Sequence, residues 1–374
     1  MSPLRPAPLR LARLRIPPLR VALLTAALSL LLGTACASVA APQGWASPVR
    51  DGDALIVQTA NGVVSALRLD NDSATPLWRY PMEGDDVEFK TVYATPVVGD
   101  GAVYLVSYSG TVVALDRASG RPLPGWPLEL EQSVVATPVL EGKTLYVATG
   151  KGALFAVDVE TGARKQLLQI DDRIWGRPAS SGGHIYVAAL DTQLRAIDRA
   201  SGEVTWSQPV GTTAGDLLVN DGMLFVPSFD RVLRALDIEG GEERWAAPGD
   251  GWFWARPLVS GSVVYASTVA GSVYAFDRED GRELWRFHRE DTEIRAAPVL
   301  ADGVLIVASR DGWLYGIDAA AGTERWAQRR EGERFLADPL VLESGVILVN
   351  HQGDLLRLIP DTGAVQHLLA GGQD

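Results

Sequence analysis

A short motif, a tiny residue followed two positions later by proline, recurs along the chain at intervals of about 40 residues. Its copies are Ala46-Ser47-Pro48, Ala94-Thr95-Pro96, Ala136-Thr137-Pro138, Gly176-Arg177-Pro178, Ala255-Arg256-Pro257, Ala296-Ala297-Pro298 and Ala337-Asp338-Pro339, with an eighth, Ala214-Gly215-Asp216, that lacks the proline. A unit of this size cannot cover both of its own faces and is stable only when stacked on its neighbours. The period therefore restricts the chain to a closed or open array of like units, built once per copy.

Each copy continues through three further phrases. In the seventh, the motif is followed by Gly303 to Gly312, then Trp313 to Asp318, then Gly322 to Trp326. These are short runs rich in valine, isoleucine and aromatics, parted by Asp-Gly, Ser-Gly or Thr-Gly turns, as hairpin-linked antiparallel strands require. The third phrase ends in Asp116, Asp158, Asp198, Asp237, Asp277 and Asp318, each four residues before a turn glycine. An aspartate there can accept backbone N–H bonds while glycine supplies the positive φ, so these acids have a structural task. The fourth phrase carries Trp78, Trp126, Trp206, Trp245, Trp285 and Trp326, replaced by Gln166 and His367 in the third and eighth copies. A ring at that point should pack on the next unit. The expected fold is all-β: an eight-bladed β-propeller with four antiparallel strands per blade, covering residues 43–374.

Residues 1–35 differ in kind. Arg5, Arg10, Arg13, Arg15 and Arg20 precede the apolar run from Val21 to Leu32, the pattern of a secretory signal and shorter than a membrane span. Cys36, the single cysteine, follows Leu32-Gly33-Thr34-Ala35, which resembles a bacterial lipobox with Gly33 where leucine is usual. The reading is a lipoprotein signal over 1–35, lipid attachment at Cys36 and a short tether over 36–42. Ordinary cleavage after Ala37 or Ala40 is the alternative. One cysteine allows no internal disulfide. Cleavage removes five of the 34 basic side chains and none of the 46 acidic ones, deepening a net charge of −12. Nucleic acid is a poor partner for such a surface, and membrane contact has to come from the lipid anchor alone.

The repeat phrases Ala-x-Pro, Gly-led strand, Ala-x-Asp and Gly-x-x-x-Trp resemble those of pyrroloquinoline-quinone (PQQ) type propellers over residues 43–370. A lipoprotein signal followed directly by eight such repeats is similar to the BamB family of outer-membrane β-barrel assembly lipoproteins, and the stretch from Asp230 to Gly241 looks like one of its blades. The resemblance implies an exported, monomeric, non-catalytic interaction scaffold on the periplasmic face of a membrane. Its implied partner is a protein of the outer-membrane β-barrel assembly type. The alternative it leaves open is a ligand-binding or quinoprotein-like propeller with a small molecule in the axial funnel. The cysteine pair that the resemblance to PQQ dehydrogenases would require cannot be made from Cys36. No catalytic set, cofactor loop or metal-like spacing of His184, His288, His351 and His367 is visible. Only about nine residues separate Cys36 from the first inner strand, and the last repeat carries its own outer strand, Ala364 to Leu369. Closure is therefore expected by packing of blades one and eight, without a shared blade.

Two segments ahead of inner strands share one design: Asp171-Asp-Arg-Ile-Trp-Gly-Arg177 and Asp250-Gly-Trp-Phe-Trp-Ala-Arg256. Trp175 and Trp254 occupy the same repeat position, and Arg177 and Arg256 follow two residues later. Tryptophan and arginine are the commonest hot-spot types in protein interfaces. At least one of Trp175, Trp252, Phe253 and Trp254 is expected to be exposed for a protein partner, with Arg173, Arg177, Arg256, Arg295 and Arg334 as charged neighbours. Inward packing of Trp254 and Trp252, with Phe253 turned the other way, is the competing arrangement.

Overall fold

The structure, a computed structural model, describes residues 45–370 apart from 59–61, 71, 83–88 and 90. The signal-like segment and Cys36 lie outside the described residues. Within them, 32 strands form eight four-stranded antiparallel sheets, each from consecutive strands. The blades span residues 49–80, 97–129, 139–169, 179–209, 218–248, 258–288, 299–329 and 340–369. The second and third strands of each blade are the most apolar and the most buried, as in Ala102–Val106 and Ser272–Asp277. The outer strands alternate toward water, as in Glu243–Pro248. Apolar side chains from adjacent blades merge into shared clusters. One joins Phe225, Leu233 and Trp245 of the fifth blade to Val264, Tyr274 and Phe276 of the sixth.

The turn between third and outer strands explains the aspartate and glycine of the repeat. Asp158 Oδ1 accepts from the N–H groups of Glu160 and Thr161 and from the Thr161 hydroxyl. Those bonds, the hydroxyl's foremost, hold its carboxyl below the usual range. The turn glycine also has a second duty. A Cβ on Gly120, Gly241, Gly281, Gly322 or Gly363 would come within 2.5–2.8 Å of the outer-strand tryptophan of the preceding blade. Four of those indoles donate Nε1–H to a carbonyl of the same turn: Trp78 to Arg117, Trp245 to Arg278, Trp285 to Ala319 and Trp326 to Pro360, at 2.7–3.1 Å. Blade is thus clamped to blade by one ring lying flat on one glycine.

Two copies make the clamp differently from the sequence expectation. Trp126 precedes the short outer strand Leu128–Glu129, and Leu128 is the side chain that reaches Gly162. In the third blade, Leu167 and not Gln166 faces Gly202, because the bulge there falls two residues earlier in the ladder.

Ring closure follows the expectation of unshared blades. The sheet of residues 49–80 and that of 340–369 are each complete. They pack through Leu55, Val57 and Leu67 against Ile347, Val349 and Leu355. Arg357 Nη2 donates to the Asp70 carbonyl at 2.9 Å, and Asp338 N–H to Ser47 Oγ at 2.9 Å.

That last bond belongs to a belt around the axis. The residue after the tiny position donates its N–H to the side chain of its counterpart in the next blade: Ser47 to Thr95, Thr95 to Thr137, Arg177 to Asp216, Ala297 to Asp338 and Asp338 to Ser47. The belt corrects the alignment of the fifth copy by one residue. Asp216 is the counterpart of Arg177, so Gly215, not Ala214, is the tiny residue. A Cβ on Gly176 would sit 2.2 Å from the Gly215 carbonyl oxygen, and one on Gly215 would sit 2.7 Å from the Pro227 ring and 2.8 Å from the Trp254 carbonyl oxygen.

Candidate functional site

The segment entering each inner strand repeats one alternation, and it places every candidate residue. Three residues before the tiny position, the backbone carbonyl accepts an N–H from the turn between the second and third strands of its blade. The acceptors are Thr91, Ser133, Arg173, Thr212, Trp252, Glu293 and Arg334, their donors Tyr108, Gly150, Leu190, Phe229, Val269, Arg310 and His351. Two residues before it, the side chain enters the core between blades: Val92, Val134, Ile174, Thr213, Phe253, Ile294 and Phe335 are all at most 1% exposed. One residue before it, the side chain turns to the axis. Strand alternation requires this order once the middle member is buried.

Phe253 is therefore core and not a docking residue, at 0% exposure, with its ring centroid 6.0 Å from that of Tyr274. Trp252 is 46% exposed. Trp175 and Trp254 are half-buried and line an axial cavity of about 280 Å³ whose wall is completed by Trp45, Tyr93, Val135, Ala214, Arg295 and Leu336. Below that wall, Ser47, Thr95, Thr137, Asp216, Arg256 and Asp338 form a polar waist. Beyond it lies a second chamber of about 580 Å³ that Thr95, Thr137 and Arg256 also border, with Arg177 on its side.

Outside the mouth the aromatic surface continues. Phe229 stacks between Trp252 and Trp254, with centroids 5.0 and 5.3 Å apart and planes within 20°. Arg295 lies over the Trp254 ring at 4.8 Å and is held by Glu293 at 2.5 Å. Arg173 is exposed and lies over Trp175 at 5.3 Å. Tyr108, 46% exposed, stands edge-on to Tyr93, which touches Trp45. Arg334 is exposed on the same set of entry segments, in the repeat position of Arg173 and Trp252. Of the candidates, the structure brings Trp252, Trp254 and Arg295 into one stack and pairs Arg173 with Trp175. Arg177 and Arg256 go to the axis instead of the rim. Phe229 and Tyr108 escaped the sequence reading because they sit on a different turn, adjacent only in the folded blade.

Among the described residues, the waist carries the one large perturbation. Burial pushes the Asp338 carboxyl up to about 6, with Asp216 adding to it; the bond from Ala297 N–H and the charges of Arg256 and Arg177 oppose the rise. Its side chain borders the cavity. A raised folded value means that the native state holds the proton more tightly. Stability then falls as pH rises from about 4 to about 6 and stays reduced above that. Asp338→Asn keeps an oxygen for Ala297 N–H and removes the charge. It is expected to raise stability by about 1–2 kcal/mol at pH 7.5 and to change it little at pH 4. The full shift corresponds to ~3 kcal/mol, reduced by solvent in the cavity. Urea unfolding of both proteins at the two pH values checks this; equal gains at both would exclude the charge as the cause.

A second polar cluster gathers Asp250, Ser272 and His288. Ser272 Oγ bonds Asp250 Oδ2 at 2.5 Å and His288 Nδ1 at 2.8 Å, and Thr268 Oγ1 bonds Asp250 Oδ1. The hydroxyl stands between acid and imidazole and is 0% exposed, the reverse of the order in which a histidine activates a serine. It ties the sixth blade's turn to its outer strand. Among the described residues no group of three or more histidine, cysteine, aspartate or glutamate side chains could hold a metal.

Comparison with known proteins places this geometry. The 34%-identical segment of the serine/threonine-protein kinase AfsK from Streptomyces coelicolor covers 57% of this chain and 32% of the kinase. The outer membrane protein assembly factors BamB of Moranella endobia and Xanthomonas campestris are 28% and 33% identical over 34% and 30% of the chain. Those matches span 36% and 29% of the two assembly factors, so the matched segments cover about a third of each. The crystal structure of BamB from Moraxella catarrhalis superposes over 83% of this chain and 92% of its own, with a TM-score of 0.69 at 21% identity, a likeness of fold. The sequence profile described as "Outer membrane protein assembly factor BamB" matches residues 36–166, 170–251, 233–297 and 269–373. With nearly all of its repeats matched in this way, the chain belongs to the BamB family of outer membrane protein assembly factors.

Proposed function

We propose that this protein is a non-catalytic scaffold of the cell envelope that assists assembly of outer-membrane β-barrel proteins by docking the rim of its axial mouth onto an assembly protein. The observation that carries the reading is the stack Trp252, Phe229, Trp254 and Arg295, with Arg173 and Trp175 across the blade between them. Rigid aromatic rings capped by guanidinium groups lose little entropy on binding and suit a desolvated protein interface. The names of its relatives supply the process in which such a partner would be met. Cys36 carries the lipid that keeps the monomeric protein at the periplasmic face of a membrane, and multiple acyl chains are needed for stable anchoring.

Crosslinked capture from envelopes tests the docking. The double variant Trp252→Ser with Arg173→Glu is expected to fold normally and to weaken capture of a β-barrel assembly protein at least tenfold, about 1.4 kcal/mol. Undiminished capture would move the interface to another face. Cys36→Ser is expected to release the protein from the membrane fraction; continued sedimentation with membranes would put the anchor elsewhere.

A further inference from the structure

We infer that the axial cavity is a binding site for an aromatic carboxylate that also carries an N–H donor. The cavity shares Trp175, Trp254 and Arg295 with the docking rim, whereas Trp252, which only the rim uses, does not line it.

The walls come first. Four aromatic side chains, Trp45, Tyr93, Trp175 and Trp254, face one space of about 280 Å³, near the lower end of the roughly 300–1,000 Å³ of small-molecule sites. In a propeller the residue before the tiny position needs only to fill the entrance, and Val135, Ala214 and Leu336 show that aliphatic side chains do so in three blades. Large rings at four of eight positions give the cavity an aromatic lining, steadied by Phe229 and Arg295 against Trp254, Arg173 over Trp175 and Trp45 against Tyr93.

The waist supplies the polar complement. Serine, threonine or aspartate at its positions closes the belt by accepting the neighbouring N–H, and five of the eight links are made this way. Arginine cannot accept a hydrogen bond. Arg177 and Arg256 therefore interrupt the belt, as Ala297 does, and bring two positive charges within electrostatic reach of Asp338. Whereas Arg295 is held by Glu293, neither Arg177 nor Arg256 is in an ion pair among the described residues, and burial lowers the pKa of Arg177. Arg256 borders both chambers, at the floor of the aromatic cup. A planar, fork-shaped cation at that point matches a carboxylate. Asp216 and Asp338 each engage Oδ1 in the belt and retain a second oxygen, an acceptor for an N–H donor on the ligand. Ring, carboxylate and N–H together describe an aromatic amino acid or the free carboxy-terminal aromatic residue of a polypeptide.

Calorimetric titration of the mature protein with N-acetyl-tryptophan, N-acetyl-tryptophan amide and free tryptophan decides the matter. N-acetyl-tryptophan is expected to bind, its amide at least tenfold more weakly, and Arg256→Gln to weaken the acid at least tenfold while leaving the amide unchanged. Trp252→Ser should leave all three titrations as they are. Free tryptophan binding as well as the acetylated acid points to a small amino acid as the source; binding of the acetylated form alone points to a polypeptide end. Equal affinity for acid and amide, or no binding of the acid at 10 mM (roughly the weakest binding such a site would show), overturns the inference. Should Arg256→Gln not fold, the acid-to-amide ratio in the unaltered protein still decides.

Discussion

Trp245→Ala is expected to lower the unfolding free energy by about 3–5 kcal/mol. The indole is only 6% exposed, its centroid lies 5.9 Å from Phe225 and 6.3 Å from Phe276, and Nε1–H is satisfied by the Arg278 carbonyl of the next blade. Truncation would leave a cavity between two blades and an orphaned carbonyl beside it. The partner of that ring gives the sharper test. Gly281 has φ +71°, and a Cβ there would stand 2.6 Å from the Trp245 ring. Gly281→Ala should cost about 2–4 kcal/mol, one part from left-handed backbone and one from overlap with the ring. In the Trp245→Ala background the overlap disappears and about 1–2 kcal/mol of backbone cost is left. Urea unfolding of the four proteins forms the cycle. Strictly additive costs would mean that ring and glycine do not act as one clamp.

Phe253→Ser and Trp252→Ser, adjacent in sequence, should differ by several kcal/mol. Phe253 is enclosed by Tyr274 and the blade core, and a Cβ on Gly249 would lie 2.6 Å from its ring, so the pocket is already close-packed. Serine there loses about 3–5 kcal/mol and buries a hydroxyl without a partner. Trp252 rests one face on Phe229 and gives the other to solvent, so its loss should change stability by less than about 1 kcal/mol. Thermal unfolding of the two single variants checks this. Near-equal losses would mean that Trp252 too is part of the core.

The alternation that separates these two residues was present in the sequence. Val92, Val134, Ile174, Thr213, Ile294 and Phe335 occupy the position of Phe253 in six other copies and are nearly all apolar and β-prone. Aligning the copies at that position assigns Phe253 to the core, whereas reading Trp252-Phe253-Trp254 as one aromatic patch does not. The fifth copy shows the opposite case. Without its proline, Ala214-Gly215-Asp216 offers two tiny residues and no local reason to choose between them. The bond from Arg177 N–H to Asp216 Oδ1 made that choice.

What the sequence by itself determined is whatever repeats: four strands per unit, eight units, the aspartate and glycine of each turn, and the tryptophan that covers a neighbouring blade. Local hydrophobic alternation and turn chemistry dictate these, and each copy restates them. The tertiary structure decided what lies between copies. Only a closed ring sets Arg177, Asp216, Arg256 and Asp338, which belong to four different repeats of the chain, around one axis. Only the packing of the fifth blade on the entry to the sixth brings Phe229 against Trp252 and Trp254. Burial, which raises Asp338, and stacking, which builds the rim, depend on distances across the ring, and these are absent from any single repeat.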